Sequence, residues 1–377
     1  MTRRTSLLTA FLFCLLIFGI ALATLLHPPA EFSQTENRTL AQAPKFHWAS
    51  GLDGSFESAY EAYLTDQFIL RDEWVALKTF AERLALKTES KDVYFAEDGY
   101  LIEKHTGAFE TELARQNAEA LSQFARQCQE QSAPGRLCVM IVPNAVAILQ
   151  NKLPPFAPPS DEDAYLHQLA ELLPEGTWFD AGSVLRAHAG EPLYYRTDHH
   201  WKPLAALYVV QSWMEAQGRT PPKLSDYEVT TVSDDFQGSI QSKLGIQTAG
   251  DSIELFQPAK PVACTVQCDG VSMESLYDTA ALSAKDQYAF YLGGNHGFAH
   301  IQTQADGGRK ILVIKDSYAN CLIPFLIGEY REIDVLDLRY TRQRVSERIA
   351  AGNYTDIWVL YNAAGFASDA SFAKITR

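Results

Sequence analysis

Four short apolar runs constrain this chain more than any other feature. They are LCVMIV (137–142), ILVIK (311–315), IDVLDL (333–338) and DIWVLY (356–361). A strand with one face in water alternates apolar and polar residues. A strand that is apolar throughout must be covered on both faces, which happens when helices connect parallel strands. Helical stretches stand between the runs: Pro203 to Gly218, closed by its glycine, another from about Ala319, and a third near Arg342–Ala350. Thr177–Asp180 reads as a further short strand, and Leu113–Gln131 as a helix before the first run. The expected fold class is therefore α/β with a mostly parallel sheet. Residues 219–286 break the alternation with short alternating strands and several glycines, and they read as a β-rich insertion.

Upstream, the chain changes character. Leu7–Leu26 carries no charge and is about the length a helix needs to cross a bilayer. Arg3 and Arg4 precede it, which places the N-terminus in the cytoplasm and the rest outside. The alternative is a cleaved signal peptide with Ala21–Leu22–Ala23 as its small-residue site. Both readings export the body, as a single-pass membrane protein or as a secreted one. The sequence divides into an anchor (1–27), a polar tether (28–54), a helical region with three- and four-residue apolar spacing (55–90), and a catalytic domain (91–377). Hydrophobic residues make up 47%, enough for a sizeable core, so disorder is excluded for most of the chain. The net charge of −14 argues against nucleic acid as a partner, since phosphate contacts need clustered positive charge.

Six cysteines allow two local disulfides, 128–138 across a turn-like stretch and 264–268 in CTVQC, with Cys321 left over and Cys14 in the apolar segment. Buried free thiols are the alternative. No paired CxxC zinc pattern occurs.

Three places carry candidate chemistry. In ILVIKDSYANCLIPFLI a buried strand ends and Ser317 follows. Ligands of parallel sheets bind beyond the carboxyl ends of strands, and a helix N-terminus there offers N–H donors to a developing oxyanion. Asp316 or Ser317 would equally serve as a plain helix cap. In TDHHW, Asp198 and His200 are two apart and share a side in an extended segment, so the carboxylate can orient the imidazole as in a serine triad. His199 faces the other way. A metal site would need His199, His200 and the distant His296 and His300, and a polar turn without chemistry is a further alternative. In LGGNHG, Gly294 and Asn295 precede a possible helix and form either an oxyanion contact or a tight turn. Asn144, Tyr361 and Asn362 stand at other strand ends, where each lines a pocket or caps a helix. No cofactor is called for.

Together, TENRTLAQAPKF, YLTDQFILRDEW, VYFAEDGYLIE, YYRTDHHW, GGNHGF and VIKDSYANCLIPFL resemble the DHHW family over residues 36–362. That family is similar to the periplasmic alginate O-acetylation proteins, AlgX and AlgJ among them. The resemblance implies an SGNH-hydrolase-like, flavodoxin-like three-layer domain. It also implies a triad of Ser317, His200 and Asp198 in an order permuted from the usual SGNH one. DFQGSIQSK (235–243) is similar to a stretch near the active site and is expected to form a pocket wall. The activity implied is O-acyl transfer or ester hydrolysis on a cell-surface or exported polysaccharide, with a multi-pass membrane O-acyltransferase (MBOAT-type) supplying acyl groups. The acidic body lacks an obvious basic groove for an anionic glycan. A non-catalytic glycan-binding or scaffold subunit and a metal-dependent hydrolase are the other readings.

Overall fold

The computed structural model describes residues 3–33, 38–130 and 135–377. The start of the TENRTL motif and residues 131–134, in the turn between Cys128 and Cys138, lie outside the described residues. The chain forms two compact units, Met1–Lys87 with Ser242–Gln247, and Thr88–Gln241 with Thr248–Arg377.

The described residues of the first unit include the helices α1 (Arg3–Leu26), α2 (Trp48–Leu52), α3 (Ser55–Asp66) and α4 (Arg71–Leu84). Arg4–Leu26 of α1 is long and apolar enough to span a membrane or to act as a signal. The apolar spacing over 55–89, which allows one amphipathic helix or two, forms two, and Leu70 before the second takes a left-handed φ of +54°. Ala30 and Ala41, which follow α1, are bonded to the end of α3. Gln67 donates through Nε2 to the Ala30 and Ala41 carbonyls at 2.8 and 3.0 Å and accepts the Ala30 N–H at 2.8 Å. Asp66 accepts the Ala41 N–H at 2.8 Å.

In the second unit, seven strands make one mixed sheet: β1 (Arg136–Val142), β2 (Cys264–Cys268), β3 (Val271–Met273), β4 (Phe298–Thr303), β5 (Lys310–Lys315), β6 (Glu332–Leu336) and β7 (Asp356–Asn362). Their order is β3-β2-β4-β6-β5-β7-β1. The four apolar runs are the four parallel strands, β6, β5, β7 and β1, and the other three extend the sheet antiparallel through β4. Period-two alternation sends their side chains into two cores. Cys138, Met140, Ile311, Val313 and Trp358 enter one, while Val139, Ile141, Leu312, Ile314 and Val359 enter the other. Helix α5 (Glu112–Glu130) buries Leu121 and Phe124 on the second core. Helix α6 (Pro203–Ala216) covers the first, where Trp213 meets Trp358 edge-on at 4.7 Å. Proline at the start of α6 pre-sets φ, and Gly218, at φ +66°, follows its end.

Several expectations are corrected. No helix follows Ala319; two 3-10 turns, Ser317–Cys321 and Ile323–Leu326, stand there, because Pro324 lacks the N–H a continuing helix would need. LGGNHG leads into strand β4 rather than a helix. The insertion is only partly separate. Tyr227–Phe236 and Asp251–Pro258 pair as their own hairpin, but β2 and β3 join the main sheet. Thr177–Asp180 makes one bridge, Val139 to Trp178, and no longer strand. All six cysteines are free. Cys264 and Cys268 lie four apart along β2, about 13 Å at strand rise, beyond disulfide reach. Cys138 sits in the first core while Cys128 packs against the second, so the sheet separates them.

Candidate active site

The carboxyl ends of the parallel strands collect the polar residues of the second unit. β5 ends at Lys315, and Asp316 accepts the Tyr318 N–H at 2.9 Å, so Asp316 is the cap and Ser317 is not needed for that role. Asp316 also accepts the Asn362 backbone and side-chain N–H groups at 2.8 and 2.6 Å, which ties the turn to the end of β7.

Opposite this turn, Tyr194 and Trp201 bridge the base of the TDHHW loop. Trp201 Nε1 donates to the Tyr318 carbonyl at 2.8 Å, and the Tyr318 hydroxyl donates to the His199 carbonyl at 2.5 Å. These bonds lock the loop onto the turn. His200 Nε2 then lies 2.7 Å from Ser317 Oγ, and its Nδ1 lies 2.5 Å from Asp198 Oδ1. All three residues are buried. Asp198 accepts two further bonds, from the His200 N–H at 3.0 Å and the Ser239 N–H at 2.8 Å.

Burial and the neighbouring His199 pull the His200 imidazole down to about 4 against the opposing pull of Asp198, so it is neutral near pH 7 and free to accept a proton. Burial raises the Asp198 carboxyl, but the two histidines and its hydrogen bonds outweigh this and hold it well below the usual carboxylate range. A neutral base thus sits between a hydroxyl and a fixed carboxylate, the arrangement that activates a serine.

The other expected residues separate into two groups. Asn295 and Gly294 join a polar cluster at the same strand edge. The fully buried Lys315 ammonium donates to Asn320 Oδ1 at 2.7 Å and Asn295 Oδ1 at 3.2 Å and lies 3.5 Å from Asp337. Asn320 donates to the Gly294 carbonyl at 3.2 Å and to Asn295 Oδ1 at 3.3 Å. Asn295 is exposed, and its oxygen holds both donors. Asn144 and Asn362 bond each other at 3.1 Å within a buried amide network behind the turn. Asn362 bonds Asp316 directly, and Asn144 reaches it through Asn362. Tyr361 does not join the site: its hydroxyl is buried in the second core, packed against Phe366 and Phe372.

The metal reading gains one coincidence and loses its ligand set. Asp198, His199 and His200 have ligand atoms within 4.8 Å of one another. Both ring nitrogens of His200 are engaged, and His199 Nδ1 takes Ser239 Oγ at 2.8 Å. His300 pairs with Asp334 at 2.6 Å, and His296 Nε2 lies 3.0 Å from the Leu292 carbonyl.

Residues 171–336 match the model of the DHHW protein family. The match spans both the TDHHW loop and the Ser317 turn, and it bears out the resemblance read from the sequence. Among solved structures, a DHHW family protein from Eubacterium siraeum is 23% identical with a TM-score of 0.59, covering 76% of this chain and 95% of that one. Bacillus cereus PatB1 with a sulfonyl adduct is 18% identical with a TM-score of 0.60, covering 76% of this chain and all of that one. The O-acetyltransferase domain of Pseudomonas putida AlgJ is 14% identical at 0.46, covering 75% and 98%, too low to argue a common fold. No curated protein matches in sequence. At these identities the DHHW and PatB1 structures share the fold of this chain.

Two contributors gave no sequence signal, and a third was marked by a resemblance alone. Tyr288 stacks on the His200 ring at 3.7 Å and 11° and donates its hydroxyl to the Ser317 carbonyl at 3.1 Å. Asp251 accepts the Thr197 N–H and hydroxyl at 2.8 and 2.7 Å, fixing the loop from beneath. Gly238, in the segment expected as a pocket wall, packs directly on Asp198. Tyr288 and Asp251 are distant in sequence and stand outside any motif; the DFQGSIQSK resemblance pointed to the stretch that holds Gly238.

Proposed function

We propose that this chain is an extracytoplasmic, membrane-anchored O-acyltransferase or esterase of SGNH-hydrolase-like fold, with Ser317 as nucleophile, His200 as base and Asp198 as orienter. The observation that carries this is the unbroken relay from Asp198 through His200 to Ser317 Oγ, with the imidazole held neutral.

Ser317 Oγ attacks the acyl carbonyl carbon while its proton passes to His200 Nε2. The imidazolium, steadied by Asp198, returns that proton to the departing group, leaving an acyl-serine. An acceptor hydroxyl then gives its proton to Nε2 as its oxygen attacks the acyl carbon, and Nε2 passes that proton to Ser317 Oγ as the acyl–serine bond breaks, releasing the acylated product. The N–H₂ of Asn295 is the proposed donor to the carbonyl oxygen as it gains charge. A sugar hydroxyl gives O-acetyl transfer to a cell-surface polysaccharide, and water gives hydrolysis. Acyl groups would reach the site from a multi-pass membrane O-acyltransferase. The intact relay speaks against a non-catalytic scaffold, which has no need of a neutral buried histidine against a serine.

The sulfonyl adduct of PatB1 suggests the probe, since sulfonyl reagents capture activated nucleophiles. The full chain in detergent should release p-nitrophenol from p-nitrophenyl acetate and take one sulfonyl group from phenylmethanesulfonyl fluoride at Ser317. Ser317→Ala should abolish both. An unchanged hydrolysis rate in Ser317→Ala sinks the proposal.

A further inference from the structure

Helix α4 carries a row of exposed apolar residues. Two of its polar residues face the rest of its unit: Thr79 is buried and donates to the Leu244 carbonyl at 2.8 Å, and Arg71 lies 3.7 Å from Asp66, while Glu73, Lys78 and Arg83 are exposed. Gly245 packs on the same side, where a Cβ would stand 3.2 Å from the Ala76 nitrogen. The residues at three- and four-residue spacing run along the opposite side and stand out. Trp74 is 44% exposed, Leu77 54%, Phe80 61% and Leu84 74%, with Leu70 at the head of the same row. An amphipathic helix of a soluble protein presents the reverse. Trp48 and Leu52 of α2 are exposed as well.

We propose that this face of α4, with Trp48 and Leu52, lies in the outer interfacial layer of the same bilayer that α1 crosses; the proposal rests on the anchored reading above. The position of α4 at the end of α1 supports it. The Ile69 N–H, just before α4, donates to Thr24 Oγ1 near the end of α1 at 3.4 Å. The bonds from Gln67 to Ala30 and Ala41 and from Asp66 to Ala41 hold those two residues against the end of α3. The head of α4 is therefore held where α1 leaves the hydrocarbon. The residue types agree: tryptophan, phenylalanine and leucine on the exposed face suit the boundary between headgroups and acyl chains. Lys78 pairs with Glu82 at 3.4 Å on the margin of that face.

The test uses the full chain in phosphatidylcholine vesicles brominated at either shallow or deep acyl positions. Of the six tryptophans, Trp48 and Trp74 are expected to be quenched by shallow bromines. Trp48→Phe with Trp74→Phe should remove most of that quenching. Leu77→Glu with Phe80→Glu should weaken it while the chain still floats with the vesicles through α1. Emission indifferent to bromine in a chain that floats overturns the proposal and leaves the anchor standing. Quenching that survives the double tryptophan replacement overturns it as well. So does a detergent-stable oligomer that Leu77→Glu and Phe80→Glu dissociate in the absence of quenching, because the face then meets a second copy. A chain that fails to float, with its N-terminus missing by intact mass, overturns the anchor and this proposal together.

Discussion

Gly238→Ala is the sharpest test of how the relay is built. A Cβ at this position would stand 2.4 Å from Asp198 Cβ, 2.6 Å from Asp198 Cα and 2.5 Å from the Thr197 carbonyl oxygen. Carbon atoms settle at about 3.5–4.0 Å, so roughly 1 Å must open between two backbone segments. Neither side yields readily. The Gly238 N–H is held by Thr197 Oγ1 at 3.1 Å, and the Ile240 and Gln241 N–H groups by the Thr197 carbonyl, both at 3.1 Å. Asp251 grips Thr197 from below. The displacement falls on Asp198, which loses its alignment with His200 Nδ1. A misplacement of about 1 Å costs on the order of 10²-fold in rate, and complete loss of the orienting aspartate about 10⁴. The expected fall in kcat/KM is therefore about 10²-fold, equivalent to about 2.7 kcal/mol of transition-state stabilisation. The assay is p-nitrophenyl acetate hydrolysis by the full chain, with near-UV circular dichroism confirming that the core is intact. Gly328→Ala serves as the control, because nothing lies within 4 Å of its added Cβ. A folded Gly238→Ala protein within twofold of wild type refutes this account of Asp198.

Three further outcomes are expected. Activity needs the neutral imidazole, and burial holds His200 at about 4, so kcat/KM should be flat from pH 5 to 7 and fall about tenfold per unit as pH drops below about 4; an acid limb near pH 6.5 would contradict the effect of burial. Lys315→Met should lower kcat more than it raises KM, because Asn295 and Asn320 lose the cation that orients their amides. Burial also pulls Lys315 down to about 8, so wild-type activity should decline as pH rises through about 8, and a profile identical in wild type and Lys315→Met above pH 8 counts against this role. Burial pushes Glu162 up to about 8, above its unfolded value, so its contribution to stability is complete below about pH 4.5 and is lost progressively as pH rises to 8. Glu162→Gln, which can still accept the Asn144 N–H through its side-chain oxygen, should flatten the fall of Tm between pH 5 and 8; an unchanged slope would exclude Glu162 as its source.

The sequence by itself determined the elements whose signal is local. Continuous apolar runs can only be strands covered on both faces, and all four parallel strands lie where those runs are. An aspartate and a histidine two apart in an extended loop share a side, so the 2.5 Å contact between Asp198 and His200 was legible from spacing. An uncharged run of about 20 residues was legible as α1 for the same reason.

Only the tertiary structure decided what depends on neighbours far along the chain. The order of the strands is set by pairing, and so is the recruitment of β2 and β3 from the expected insertion. Ser317 could not be told from a helix cap until Asp316 was seen to fill that role, leaving the hydroxyl to His200. Tyr361 and Asn362 are adjacent at the end of one strand, yet the pleat sends Tyr361 into the second core and Asn362 to Asp316. The outward apolar row of α4 has the spacing of an ordinary amphipathic helix, and nothing in the sequence says which side is covered. Periodicity gives the faces of an element, but the choice of face comes from the surface it meets.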